Sequence, residues 1–331
     1  MNLDEFLDDQ MRNELVRRLH EHIDTLPEKV RDRVRSYIVS TQGKMLRPLL
    51  VVGTAKLLGA TPEQMDVAYS SAASVELLHN FTLMHDDILD KAPLRRGKDA
   101  YHIRNGTELA IHDGDLVHSH ALSLITDNES LRLMLNISNQ VGRGNGIELE
   151  DRLDNVFDFT KEHVIEVLRL KTAIVFFGCV QLAGLAVKRI ELIEDLRDII
   201  TDGGIAFQIQ DDVLDILGET SKFGKQSFWD IQESKRNLFL YYSLQTEHAE
   251  KLKQIYSKPV GEKTEEDILF VLEVFKTVKD KILEDRDRFL ESCLDRLDEK
   301  IDKLDHNSST DLKTLYEFLR ELIIYLCTRE K

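Results

Sequence analysis

Apolar residues recur at three- and four-residue spacing along most of the chain, which is the period of an amphipathic helix. The spacing predicts helices over about 4–22, 28–40, 47–58, 62–90, 107–125 and 129–141. Further helices follow over about 161–187, 191–217 and, in several pieces, 238–328. Between them stand the breakers: STQGK at 40–44, Pro93, GRGNG at 142–146 as a flexible joint, and HNSST at 306–310 as a surface loop. Only 5 Pro and 16 Gly interrupt the pattern, so an all-α architecture is expected and strands are not.

One of these helices carries chemistry at its end. In HNFTLMHDDILD, Asp86 and Asp90 lie one turn apart with Asp87 beside them, behind a mostly apolar run Phe81, Thr82, Leu83, Met84. Three crowded carboxylates on a buried helix repel one another and need a cation. All the ligands offered are oxygens, so the cation is hard, Mg²⁺ rather than Zn²⁺. The same DDxxD spacing returns at Asp211, Asp212 and Asp215 in AFQIQDDVLDILG. At an aspartate frequency of about one in ten, chance gives roughly 0.3 such matches in a chain this long. Two copies on apolar backgrounds, followed by Arg95 and Arg96 in one case and Lys225 and Lys235 in the other, outweigh the alternative of two solvated acidic patches.

Basic residues elsewhere leave alternatives open. Lys44 and Arg47 flank a helix start after Gly43, which makes either an anion site or a surface turn. Lys171 and Thr172 sit inside the greasy stretch LRLKTAIVFFGCV, where the lysine either caps a carboxylate or meets a ligand's phosphate. A net charge of −16 argues against nucleic acid as the partner. The N-terminal stretch lacks the basic and apolar regions of a signal peptide, and no run of 18 apolar residues forms a transmembrane segment. Cys179, Cys293 and Cys327 each have apolar neighbours, so they are expected as buried thiols in a reducing cytosol, and the protein as cytoplasmic.

In order along the chain, GKMLRP at 43–48, LLHNFTLMHDDILD with RRG at 77–97, KT at 171–172, and AFQIQDDVLD with its following FGK, Asp230 and Lys235 resemble the trans-isoprenyl diphosphate synthases, the polyprenyl synthetase family. The match spans about residues 40–240, and LRELIIYLCTRE is similar to the family's last helix. The resemblance implies one all-α domain over residues 1–331, a large helical bundle around a central cavity, in a homodimer. It implies head-to-tail condensation of isopentenyl diphosphate with an allylic partner: dimethylallyl, geranyl or farnesyl diphosphate. By motif position, Asp86, Asp87, Asp90, Asp211 and Asp215 would hold about three Mg²⁺ ions, with Asp212 acting through water. Arg95, Lys171, Thr172, Gln208, Lys225 and Lys235 would line the allylic site, and Lys44, Arg47, His79 and Arg96 the isopentenyl site.

Phe81 stands five residues before Asp86, about 7 Å along a helix axis, and reads either as the floor that stops chain growth or as ordinary core packing. With small Thr82 beside it and no insertion in the first motif, the pattern resembles the archaeal type of geranylgeranyl diphosphate synthase. Farnesyl or longer products are the alternative. Three departures stand out: GIELE at 146–150 lacks the family's GQxxD, its usual glycine before Asp230 is replaced near Phe228 and Trp229, and Asn237 replaces its Thr. A terpene cyclase would carry a mixed second motif, and a non-catalytic regulatory subunit would have lost one of the two; neither motif is lost.

Overall fold

The computed structural model describes residues 9–40, 43–151, 156–218, 229–304 and 310–329. Helices dominate, in the order α1 (Asp9–Asp24), α2 (Glu28–Ser40), α3 (Leu46–Leu57), α4 (Pro62–Leu89), α5 (Tyr101–Asn105), α6 (Thr107–Ser123) and α7 (Asn128–Asp151). Then come α8 (Lys161–Leu168), α9 (Ile174–Ala186), α10 (Arg197–Leu217), α11 (Leu238–Ser243), α12 (Ala249–Tyr256), α13 (Glu265–Asp302) and α14 (Thr310–Thr328). The expected all-α architecture is observed, with one exception: the antiparallel two-residue strands β1 (Leu94–Arg95) and β2 (Lys98–Asp99). Arg96 and Gly97, both at positive φ (51° and 75°), make the tight turn between them.

The contacts sort into two compact units, each drawn from three stretches of chain. The first comprises Met1–Asn139, Val175–Asp198 and Leu297–Leu322; the second comprises Gln140–Ile174, Ile199–Arg296 and Ile323–Lys331. In the first, α4 packs against α3 and α6. Its start is set by Thr61, whose hydroxyl accepts from the Gln64 N–H while the Thr61 N–H donates to the Gln64 side-chain oxygen, with Pro62 opening the helix. From Ala72 to Leu78 every residue is buried, so this helix has no solvent face there. It ends in a reversal at Lys91 (φ 49°), two residues before Pro93.

The second unit is built on an apolar core of Ile205, Ile209, Val213 and Ile216 from α10, with Phe239 and Phe275 tilted against each other at 5.1 Å. Gly204 lets α10 approach closely: a Cβ there would stand 2.7 Å from Ala173 Cα.

GRGNG is no joint. Residues 142–146 lie inside α7, which runs on to Asp151. Gly144 is buried, and a Cβ there would meet Lys171 Cγ at 2.7 Å, so this glycine serves packing rather than flexibility. The helix expected over 161–187 is interrupted by a π-turn, Arg169–Ala173, where the Ile174 N–H reaches back to the Arg169 carbonyl. Two 3₁₀ turns, Ile190–Leu192 and Glu194–Leu196, precede α10 where a continuous helix was expected. The loop expected at 306–310 falls mostly outside the described residues. All three cysteines are buried and unbridged, as expected. No helix among the described residues is long and apolar enough to cross a membrane.

Candidate functional site

In the first unit, the end of α4 and the β1–β2 turn bring acid and base together. Asp87 is fully buried, and Arg95 Nε lies 3.0 Å from its Oδ1, with Nη2 bound to the same oxygen. Its other oxygen, Oδ2, is buried and has no hydrogen-bond partner among the described residues. Burial pushes the Asp87 carboxyl above its usual range, opposed by Arg95 and reinforced by Asp86 and Asp90. Asp86 and Asp90 are half-buried on the same helix end.

The turn also swings Arg96 over the backbone ahead of α3. A Cβ on Gly43 would stand 2.7 Å from both Arg96 Nη atoms, so a larger residue there would push this guanidinium aside. Met45, left-handed at φ 53°, leads into α3, where Arg47 Nη1 lies 3.5 Å from His79 Nε2 and the guanidinium carbon 5.5 Å from the Phe176 ring centre. Burial, and then the charges of Arg47, Arg96 and Arg95, drive the His79 pKa well below 6.5. A neutral imidazole therefore sits among three guanidinium groups. Lys44 is exposed just before this turn. The Phe81 ring, one turn and a half before Asp86, lies 4.6 Å from the rings of His85 and His118; Thr82 donates its hydroxyl to the His79 carbonyl at 2.8 Å.

In the second unit the π-turn presents Lys171 and Thr172. Lys171 pairs with Glu148, so the carboxylate-capping alternative describes what its ammonium does here. Thr172 Oγ1 donates to Gln208 Oε1 at 2.8 Å, and Gln208 Nε2 donates to Asp212 Oδ1 at 2.9 Å. Hydrogen bonds thus run from the π-turn to the second motif. Burial pushes the Asp212 carboxyl up to about 8, with Asp215, Asp211 and Asp230 adding repulsion against the Gln208 hydrogen bond. Asp215 is half-buried, and Lys235 Nζ lies 3.7 Å from Asp230 Oδ1. Lys225 lies outside the described residues. Asn237, which replaces the family's threonine, caps α11 by accepting from the Leu240 N–H at 2.9 Å.

Two partners were missed from sequence. Glu148 stood in a segment noted only for what it lacked. Arg329 pairs with Asp211, lies 4.9 Å from the Phe207 ring centre, and receives a bond from Gln210 Nε2 to its carbonyl at 2.8 Å. Its only signal was its place at the end of the last helix.

The donor set fits a hard divalent cation: carboxylate oxygens throughout, one of them buried and unmatched on Asp87. Among the described residues no three Asp, Glu, His or Cys side chains form a closed cage.

An all-helical chain with two aspartate-tipped helices, each with basic groups at its exit, belongs to the class of metal-dependent helical transferases that work on diphosphates. Residues 28–274 match the Polyprenyl synthetase family, and the chain belongs to it: it is a prenyltransferase that catalyses chain elongation. The geranylgeranyl diphosphate synthase of Saccharolobus solfataricus is 32% identical over 248 residues, 71% of this chain and 72% of that one. That of Sulfolobus acidocaldarius is 30% identical over 302 residues, covering 85% and 88%. A crystal structure of a geranylgeranyl pyrophosphate synthase superposes with a TM-score of 0.83 over 100% of both chains at 26% identity.

Proposed function

We propose that this enzyme condenses isopentenyl diphosphate with dimethylallyl, geranyl and farnesyl diphosphates to give geranylgeranyl diphosphate. Asp86, Asp87, Asp90, Asp211 and Asp215 hold Mg²⁺, about three ions per site, with Asp212 acting through water. When bound, the metal neutralises the charge that collects on the departing diphosphate. Arg95, Lys171, Thr172, Gln208 and Lys235, with Lys225, orient that diphosphate and stabilise it more after the C–O bond breaks than before. Lys44, Arg47 and Arg96 take the isopentenyl diphosphate, where arginine's planar fork suits phosphate oxygens. His79, kept neutral, adds a hydrogen bond there without a charge to compete with Arg47.

The bond to the allylic oxygen breaks with its electron pair leaving on the diphosphate. The isopentenyl double bond attacks the resulting cation, and a proton then leaves to the diphosphate product. Apolar helix walls keep water from capturing the cation. The observation that carries this reading is Asp87, wholly buried with Arg95 on one oxygen and the other unmatched.

The enzyme is read as a one-domain chain because each compact unit draws on three separate stretches of sequence. Two such chains of 38.2 kDa form the working homodimer, in the cytoplasm. The test is the product distribution from labelled isopentenyl diphosphate, Mg²⁺ and each allylic primer. Twenty-carbon product from the wild type, and longer product from Phe81→Ala, are expected. No incorporation from any primer would overturn the reading; farnesyl or much longer wild-type product would overturn the Phe81 floor alone.

A further inference from the structure

Lys235 stands just past a helical turn, residues 229–233, that closes as a Schellman motif. The Lys235 N–H reaches back to the Asp230 carbonyl at 3.1 Å, and the Ser234 N–H to the Ile231 carbonyl at 3.1 Å. Such a motif bends at a left-handed residue, where glycine is usual; here the residue is Ser234, at φ 58°. The motif also satisfies only two of the turn's last carbonyls, and the next one, on Gln232, must find a donor outside the turn.

Both needs are met from the chain around the start of α13. Lys263, only 4% exposed, donates from Nζ to the Gln232 carbonyl at 2.6 Å and to the Lys258 carbonyl at 3.1 Å. Gln232 answers with its side chain: Nε2 donates to the Lys263 carbonyl at 2.7 Å, and Oε1 accepts from the Gly261 N–H at 3.1 Å. The Ser234 hydroxyl donates to the Tyr256 carbonyl at 3.0 Å, which holds the left-handed bend. A lysine this buried needs its charge matched, and the carbonyl end of a helical turn is negative. Burial draws the Lys263 pKa down to about 8, with Asp267 and Glu233 opposing and Lys258 assisting, so the group is an ammonium near pH 7. Lys263 is itself fixed, because the next residue caps α13: the Thr264 N–H donates to Asp267 at 2.8 Å and the Asp267 N–H to the Thr264 hydroxyl at 3.2 Å. On the other side of Lys235, Arg236 pairs with Asp151.

We propose that Lys263 is a positioning residue for the allylic diphosphate site: its ammonium caps the turn behind Lys235 and sets where that side chain stands. This rests on the reading of Lys235 as a ligand of the allylic diphosphate.

The test compares Lys263→Met, Gln232→Ala, Lys235→Ala and the double variant Lys263→Met/Lys235→Ala, with farnesyl diphosphate, isopentenyl diphosphate and Mg²⁺. For Lys263→Met, kcat/KM for farnesyl diphosphate should fall roughly tenfold, as expected of a displaced binding group, while KM for isopentenyl diphosphate stays within about twofold of wild type. Gln232→Ala opens the same clasp from its other side and should act in the same direction; it also serves if Lys263→Met does not fold. Lys235→Ala should cost roughly 100-fold, and in its presence Lys263→Met should add less than about twofold, because there is no longer a side chain to place. Wild-type kinetics in both Lys263→Met and Gln232→Ala would overturn the role of Lys263. So would an equal rise in KM for both substrates, or the full tenfold loss persisting in the double variant. Wild-type kinetics in Lys235→Ala would overturn the reading of Lys235 itself, and the role of Lys263 with it.

Discussion

Gly204→Ala probes how closely α10 must approach the π-turn. The added Cβ would stand 2.7 Å from Ala173 Cα and 2.9 Å from its Cβ, and ordinary contact begins near 3.4 Å, so about 0.7 Å of separation is required. Backbone lies on one side of the clash and helix on the other, so no side chain can turn aside. Overpacking of this kind costs about 1–3 kcal/mol, against a gain of about 0.5–1 kcal/mol from replacing a mid-helix glycine. The net loss is on the order of 1–2 kcal/mol. At about 2.1 cal/mol/K per residue, unfolding entropy for a chain of this length lowers Tm by about 1–3 °C for that loss. Function should suffer more than stability. The Thr172–Gln208 bond, now 2.8 Å, would stretch to about 3.5 Å and cease to count. Gln208 would then orient neither Thr172 nor Asp212, and turnover should fall roughly 10- to 100-fold. Thermal melting and kcat with saturating farnesyl diphosphate check both parts. A lowered Tm with wild-type kcat would refute the role given to the hydrogen-bonded chain; no change in either would show that α10 has slack at this crossing.

Other outcomes follow from charges the fold has confined. Asp212 keeps its proton up to about pH 8 in the folded metal-free protein but loses it near 3.8 when unfolded. The folded state thus binds more protons between those values, and stability falls as pH rises from about 4 to 8, by up to about 1.4 kcal/mol per pH unit. With a chelator present, Asp212→Asn should flatten the decline of Tm between pH 5 and 8; an identical slope in wild type and variant would contradict it. Arg329 pairs with Asp211, which we propose as a metal ligand. Removing it with Arg329→Ala should lower the Mg²⁺ concentration for half-maximal binding about fivefold, the equivalent of about 1 kcal/mol of relieved competition. Calorimetric titration measures it, and weaker Mg²⁺ binding would show that Arg329 supports the site instead.

What was legible in the sequence was whatever a helix repeats locally. Asp86, Asp87 and Asp90 share a helix end because of their spacing, and the mostly apolar background Phe81 to Met84 announced that the carboxylates would need partners. Glycine was misleading: GRGNG reads as a breaker by propensity, yet Gly144 is present because Lys171 crosses α7 at that point, a fact set by two helices 27 residues apart. The partners hidden from sequence are those brought by crossing angle rather than by period. Arg329 reaches Asp211 from 118 residues away, and His118 reaches Phe81 from another helix. Neither follows from any local pattern.

The π-turn at Arg169–Ala173 makes chain length at this point an instruction in its own right. A wide turn spends one residue more than an α-helix would, and each residue rotates the downstream helix by about 100°. Deleting any one residue between Leu168 and Ile174 leaves the number of residues a regular helix would use. It would also carry either Thr172 or the whole of α9 around the helix axis, so that side chains of correct identity would face the wrong neighbours. Substitutions here are graded in effect, whereas a single-codon deletion is expected to be all or nothing.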